Sequence, residues 1–361
     1  MPHVPTTAGE IDVDDLGPVL MHEHVFIRTE TLQQGWPGFG GWDTGAEVAA
    51  ARERLSRLSQ AGVGAILDMT VPGLYRDPAL VARAAEGTGL KLMFATGYYT
   101  YDNLPFPFHY RGRGKILDDE DRTLESLFER DVTTGIGDTG FRAAVLKIVT
   151  DEQGMTPDVE RLAMAVANVH ARTGTPVCTH AHAPSKRGLD QQRILASRGA
   201  DMGRVMIGHS NESTDLGYLE QIIANGSYIG WDRCGLQVTV PLADQLDTLA
   251  KLCERGYAGR VMLSHDKASF TDWFTNAEQD FVLPDWQFTY IHGALLPGLR
   301  ERGVTDGQIE QMLVTNPREF FGRNDGPPAA AAAGQPAARA PGEAPAARAP
   351  GEAPADAPEA G

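Results

Sequence analysis

Cysteine is scarce in this chain: three residues in 361, Cys178, Cys234 and Cys253, with no C-x-x-C pair among them. That odd, scattered number offers neither a disulfide framework nor a thiolate zinc site, and it suits a reducing cytoplasm. Long apolar runs are missing as well. No segment approaches the roughly eighteen consecutive apolar residues that a membrane-crossing helix needs. Met1-Pro2-His3-Val4-Pro5 carries neither the basic stretch nor the apolar core of an export signal. Positive charge is outnumbered: 32 Lys and Arg against 48 Asp and Glu leave a formal charge of −16. Such a balance argues against nucleic acid or an anionic membrane surface as a partner. What remains, 42% hydrophobic and 22% charged residues, is the composition of a soluble globular protein with material for a large core.

Short apolar segments alternate with amphipathic ones along the chain. Strands are expected over 19–26, 63–70, 90–96, 142–149, 176–180, 204–209, 227–231 and 260–266. Helical spacing follows them over 47–61, 77–86, 119–133, 156–172, 190–197, 215–224, 244–255 and 306–314. Gly62 stops the first helix, as glycine commonly does just past a C-terminus. Thr156-Pro157 sets a cap and a proline in the order that a helix start favours. Eight such units point to a closed parallel (β/α)8 TIM barrel over residues 1–325, with a doubly wound open sheet as the competing architecture. From about Gly326 the composition turns to Ala, Pro, Gly and Glu, and the segment 336–344 repeats as 345–353. Residues 326–361 are therefore read as a low-complexity, disordered tail with little to bury.

Chemistry in such a barrel gathers where the strands end at their C-terminal side. The first strand carries His22 and His24, two residues apart and so on one side of a strand. Alone, the pair reads as well as two satisfied polar residues at a strand end. Four further strands deliver metal-competent groups to the same rim: Lys147, His180, His209 and Asp266. Lys147 is the odd one, a lysine inside the apolar run Val145-Leu146-Lys147-Ile148, where an ammonium is costly unless paired or neutral. A buried ion pair is one reading. A lysine of depressed pKa that has reacted with carbon dioxide, giving an anionic two-oxygen carbamate able to bridge two metals, is the other.

H-E-H on the first strand, the fourth-strand lysine, T-H, G-H and S-H-D together resemble the phosphotriesterase family of the amidohydrolase superfamily, over about residues 16–323. The resemblance implies two divalent metal ions: His22, His24 and Asp266 on the more buried one, His180 and His209 on the other, and carboxylated Lys147 (N6-carboxylysine) bridging them. Zinc is the default, with cobalt, iron or manganese open. The runs 95–106, 231–235 and 266–273 look like the phosphotriesterase-like lactonases. By position they assign Tyr99 and Arg233 to catalysis beside Asp266, and Tyr99, Arg233, Trp273 and Ala268 to the substrate pocket. The implied activity is hydrolysis of lactones, N-acyl-homoserine lactones among them, by a metal-bridging hydroxide, with side activity on organophosphate triesters. A dedicated phosphotriesterase or another ester hydrolase is the alternative, and a homodimer is the implied assembly. Tyr98 and Tyr101 compete with Tyr99, and Arg233 has a simpler role open to it, pairing with Asp232 or a loop carboxylate. Glu23 and His265 are expected to face away from the barrel interior. His182 falls past its strand end, and His3, His109, His170 and His292 are read as surface or packing residues.

Overall fold

The computed structural model describes residues 2–322 except 113, 114 and 119; the tract expected to form a disordered tail lies outside the described residues. A hairpin unforeseen in the sequence, β1 (His3–Thr6) with β2 (Gly9–Asp12), opens the chain. Eight parallel strands come next: β3 (Val19–Ile27), β4 (Ala65–Asp68), β5 (Lys91–Gly97), β6 (Ala143–Thr150), β7 (Val177–Ala181), β8 (Val205–Ile207), β9 (Tyr228–Trp231) and β10 (Val261–Leu263). Each is hydrogen-bonded to the next in sequence order. The fold is a (β/α)8 barrel.

The eighth strand closes the barrel in two pieces rather than as the single segment expected. β10 pairs with β9, and after a kink β11 (Ala268–Thr271) pairs with β3. The kink is Asp266, whose φ of 53° lies in the left-handed region that an L-residue enters at a cost. Its amide N–H still donates to the His22 carbonyl at 2.9 Å, so the seam stays bonded through the bend.

Helix starts follow their caps. Asp43, Asp77, Thr156 and Asp215 each accept a backbone N–H three residues on, beginning the helices Thr44–Gln60, Pro78–Ala85, Pro157–Thr173 and Leu216–Ala224. Thr123 and Ser126 form a reciprocal capping box, so the third helix starts at Leu124 and not near 119. Arg187–Ser197 and Leu242–Glu254 complete the layer outside the middle strands. The last helical wall runs past the expected 314: Asp306–Glu310 passes through a π-helical turn, Gln311–Thr315, into Asn316–Gly322. The Asn316 amide donates to the carbonyls of Ala258 and Val261, pinning that wall to the start of β10.

Two apolar layers hold the barrel. Leu20, Leu92, Leu146, Ile207 and Leu263 face the helices, whereas Met21, Met93, Val145, Cys178, Met206, Tyr228 and Met262 fill the interior. Side chains alternate along a strand, so Lys147, two residues after Val145, and His180, two after Cys178, inherit the interior side at the C-terminal rim.

Candidate metal centre

On β3 the alternation alone would aim the histidines wrongly, because Met21 is interior and His22 is the next residue. The pairing between β3 and β4 shifts register between Leu20 and Glu23. That irregularity re-aims the strand, as bulges do beside active sites, and both imidazoles turn inward. Nε2 of His22 and of His24 stand 3.4 and 3.3 Å from Asp266 Oδ1. Two ligands each about 2.1 Å from a tetrahedral ion are about 3.4 Å apart, so the spacing fits an ion between them.

His180 and His209 make the stronger case. His180 Nε2 lies 2.7 Å from Asp151 Oδ2, and His209 Nδ1 lies 3.1 Å from Asp232 Oδ1. Carboxylates only accept, so both of those nitrogens carry the proton. The other two, His180 Nδ1 and His209 Nε2, are then bare lone pairs, yet they face each other at 2.9 Å in a buried site. A cation shared by the two is the arrangement that satisfies them. His209 has φ of 58°, and Gly208 before it packs so closely that a Cβ there would stand 1.9 Å from the Thr179 carbonyl oxygen. The G-H motif thus needs its glycine.

The electrostatics suit cation binding. Burial lowers His24 to about 3, outweighing a hydrogen bond to Asp266, and lowers His180 to about 4 despite Asp151. Burial also takes His209 well below 6.5. All three rings are therefore neutral near pH 7. Burial alone would raise the Asp266 carboxyl, but His209, His22, His24 and the Arg233 guanidinium hold it well below the usual carboxylate range. Burial lowers Lys147 to about 8 against the pull of Asp266, Asp68 and Asp232, and its Nζ donates to the Met69 carbonyl at 2.8 Å.

Asp232 was missed in the sequence. Fully buried, it meets His22 Nδ1 at 3.0 Å through Oδ2, and through Oδ1 it accepts the His209 amide N–H at 2.6 Å. Alternation along β9 was the available signal, since interior Tyr228 puts Asp232 on the same side four residues later. His24 is set similarly: its Nδ1 lies 2.7 Å from Thr70 Oγ1, and Asp68 accepts the Thr70 amide at 2.9 Å. Glu23 faces away from the interior and is fully buried, accepting from Ser264 Oγ, the His265 amide, His265 Nδ1 and the Lys267 amide at 2.7–3.0 Å. It stitches β3 to the segment that carries Asp266.

The remaining residues surround this centre unevenly. Arg233 does not pair with Asp232; its Nε donates to Asp266 Oδ2 at 3.0 Å and its Nη1 to Glu212 at 2.9 Å. The Tyr99 and Tyr101 hydroxyls are 2.5 Å apart, and their rings flank His180 at 5.8 and 5.7 Å. Tyr98 turns aside onto Phe108. Burial raises Tyr99 well above 10, so its hydroxyl stays protonated. Ala268 is buried with Ile27 and Leu74 beneath Tyr99. Trp273 is half exposed on the segment leaving β11, and its indole makes no ring contact among the described residues. A cleft of about 880 Å³ opens beside Tyr99, lined by Tyr98, Leu104, Pro105, Phe106 and His109 among others. His182 is turned to Ser185.

A model of the phosphotriesterase family matches residues 2–321. The chain belongs to the phosphotriesterase family. Phosphotriesterase-family proteins are binuclear metal enzymes, and this one is a metal-dependent ester hydrolase. The solved phosphotriesterase from Mycobacterium tuberculosis is 48% identical, with a TM-score of 0.86 over 89% of this chain and 99% of that one. The aryldialkylphosphatase of Saccharolobus solfataricus is 36% identical over 86% of this chain and 96% of its own length. A mutant of the PTE-like lactonase of Deinococcus radiodurans is 32% identical, with a TM-score of 0.79 over 88% of this chain and 99% of that one. Among the described residues no helix is long and apolar enough to cross a membrane.

Proposed function

We propose that this chain opens lactones, N-acyl-homoserine lactones foremost, and hydrolyses organophosphate triesters as a second activity. The observation that carries the reading is the convergence of four histidines, Asp266 and a buried lysine on one rim, beside a cleft of about 880 Å³ with aromatic lining. Similarity to a PTE-like lactonase of solved structure supports lactones as a substrate class. Two divalent ions, zinc by default, would be held by His22, His24 and Asp266 and by His180 and His209, with carboxylated Lys147 between them. Ions so placed supply Lewis acidity and lower the pKa of water at the site.

The chain's own groups complete the reaction. Asp266, kept ionised, accepts the proton of the attacking water and returns it to the leaving oxygen. Arg233 holds the second Asp266 oxygen and with it the carboxylate plane. The protonated Tyr99 hydroxyl donates to the carbonyl or phosphoryl oxygen as negative charge develops there. Ala268 sets the floor beneath Tyr99, and Trp273 forms the outer wall. In a lactone the leaving oxygen stays tethered and a hydroxy acid results; from an aryl triester a phenol departs. A homodimer belongs to the same proposal, and sedimentation tests it.

Catalytic efficiencies on a lactone series and an aryl dialkyl phosphate, with metal content from the same preparation, test the reading. Lactones are expected to lead by orders of magnitude. The reverse order would make the chain a dedicated phosphotriesterase, the reading that the 36% identical aryldialkylphosphatase favours. Fewer than about two ions per active chain would refute the binuclear centre.

A further inference from the structure

Directly after Asp266 the chain holds a second buried lysine that takes no part in the chemistry above. Lys267 alternates to the helix side of the seam and is only 4% exposed. Its Nζ lies 4.5 Å from the centroid of the Trp286 ring, but no hydrogen bond or carboxylate within ion-pair distance reaches it among the described residues. Burial is the main influence against its charge, Arg54 of like sign adds to it, and the Asp280 and Glu23 carboxylates oppose it from beyond ion-pair distance. A buried ammonium in that state lacks the partner that such groups ordinarily require.

The lysine lines a small cavity of about 80 Å³ between β11, the helix Thr44–Gln60 and the loop helix Asn276–Val282. Arg54, Arg57, Asn276 and Gln279 share the lining. Arg54 commits Nη1 to the carbonyl and hydroxyl of Ser269, leaving Nε and Nη2 without hydrogen bonds among the described residues. The Gln279 side chain is buried and makes no hydrogen bond there either. Carboxylates temper the charge: Glu53 pairs with Arg57, and Asp280, held by Gln287, shares the lining. Glu23 also acts on Lys267 and Glu47 on Arg54, so what sets the cavity apart is not net charge but a set of donors, on Lys267, Arg54 and Gln279, that lack hydrogen-bond acceptors among the described residues.

We propose that this cavity is a binding site for a small inorganic oxyanion, with Lys267 and Arg54 as its charged contacts and the Gln279 and Asn276 amides as further donors. The volume holds an ion of sulfate or phosphate size, on the order of two or three waters' worth of space. An oxyanion suits the donor set because it accepts from several directions at once, and all four of these side chains offer N–H groups. Bound there, it ties the loop helix Asn276–Val282 to the helix Thr44–Gln60 and to the residue next to Asp266.

Sulfate is the probe, since it does not duplicate the phosphoryl chemistry of the metal centre. Thermal unfolding of the metal-loaded full chain is followed against sulfate, with ionic strength held constant by sodium gluconate, an anion too large for the cavity. A saturable rise of several degrees is expected in the parent protein. Lys267→Met should lose that rise entirely while unfolding no lower than the parent does without sulfate. Arg54→Gln, at a partly exposed position, should weaken the apparent affinity at least tenfold, and it supplies the answer if Lys267→Met fails to fold. No rise in the parent, or an equal rise in either variant, overturns the site.

Discussion

Asp232→Asn separates the residues that would hold metal from the one that orients them. Asp232 accepts at three points: His22 Nδ1 at 3.0 Å, His209 Nδ1 at 3.1 Å and the His209 amide at 2.6 Å. As a carboxylate it forces both rings to carry the proton on Nδ1, leaving Nε2 bare toward the centre. Asparagine keeps one acceptor. Its carbonyl will stay with His209, where two N–H groups need it, and the amide NH2 then meets His22 Nδ1. Two donors cannot face each other at 3 Å, so His22 shifts its proton to Nε2, the atom that stands 3.4 Å from Asp266. A protonated Nε2 cannot ligate. Loss of an orienting partner of this kind costs about 10–100-fold in metal affinity or activity, or roughly 1.4–2.7 kcal/mol. Competition with a chromophoric chelator should show one ion weakened by that factor and the other, on His180 and His209, retained. The rate constant should fall with little change in KM, because no substrate contact is altered. If Asp232→Asn holds both ions as tightly as the parent and turns over at the parent rate, the tautomer reasoning is wrong.

Three further outcomes are expected. Glu23→Gln turns one of two accepting oxygens into a donor opposite the Lys267 amide and weakens three charge-assisted bonds, so urea unfolding should report a loss of about 2–4 kcal/mol; a loss under about 1 kcal/mol would deny it the stitching role. Lys147→Met should lower the rate by orders of magnitude and cut metal content below two ions per chain, and apoenzyme given zinc should recover faster with bicarbonate present than without; parent-like activity in the variant would remove the carbamate. His170 is buried as a neutral ring, Nδ1 donating to the Thr175 carbonyl and Nε2 accepting the Asp201 amide, with burial as the main cause of its lowered pKa. The unfolded chain then binds the extra proton below about pH 6.5, so stability should fall on acidification by up to about 1.4 kcal/mol per pH unit more than in His170→Gln, as measured by denaturant unfolding at pH 7 and 5.5.

Most of the barrel was legible because short, alternating apolar strands and their caps are local signals. Val145 and Lys147, or Cys178 and His180, reveal their common side from spacing alone. The features that escaped depend on contacts distant in sequence. The register shift in β3 exists only against β4, and nothing in Leu20-Met21-His22 announces it. Asp232 answers to His22, 210 positions away, while its neighbour Arg233 offered a nearer and mistaken partner. The kink at Asp266 was invisible for another reason. Its left-handed φ goes with the pairing of both flanking pieces, β10 to β9 and β11 to β3, which no local pattern shows. Tyr101 was left as a competitor of Tyr99, whereas the two hydroxyls in fact share one hydrogen bond.

The seam at β11 has a bearing on how such an enzyme can change. Closure is finished at the pairing of Thr271 with Ile27, and the next residue, Asp272, binds the Thr29 amide at 2.6 Å and Gln33 at 3.1 Å. Beyond that anchor, Trp273 and Phe274 are exposed. Exchanges at Trp273 and Phe274 therefore pull on a fastened point, whereas Trp286 further on donates its indole N–H to the His265 carbonyl at 2.8 Å and belongs with the frame that sets Asp266. The part that can drift lies between two anchors, Asp272 on one side and Trp286 on the other. Libraries confined to the exposed positions Trp273 and Phe274 should explore new substrates while nearly every member still folds.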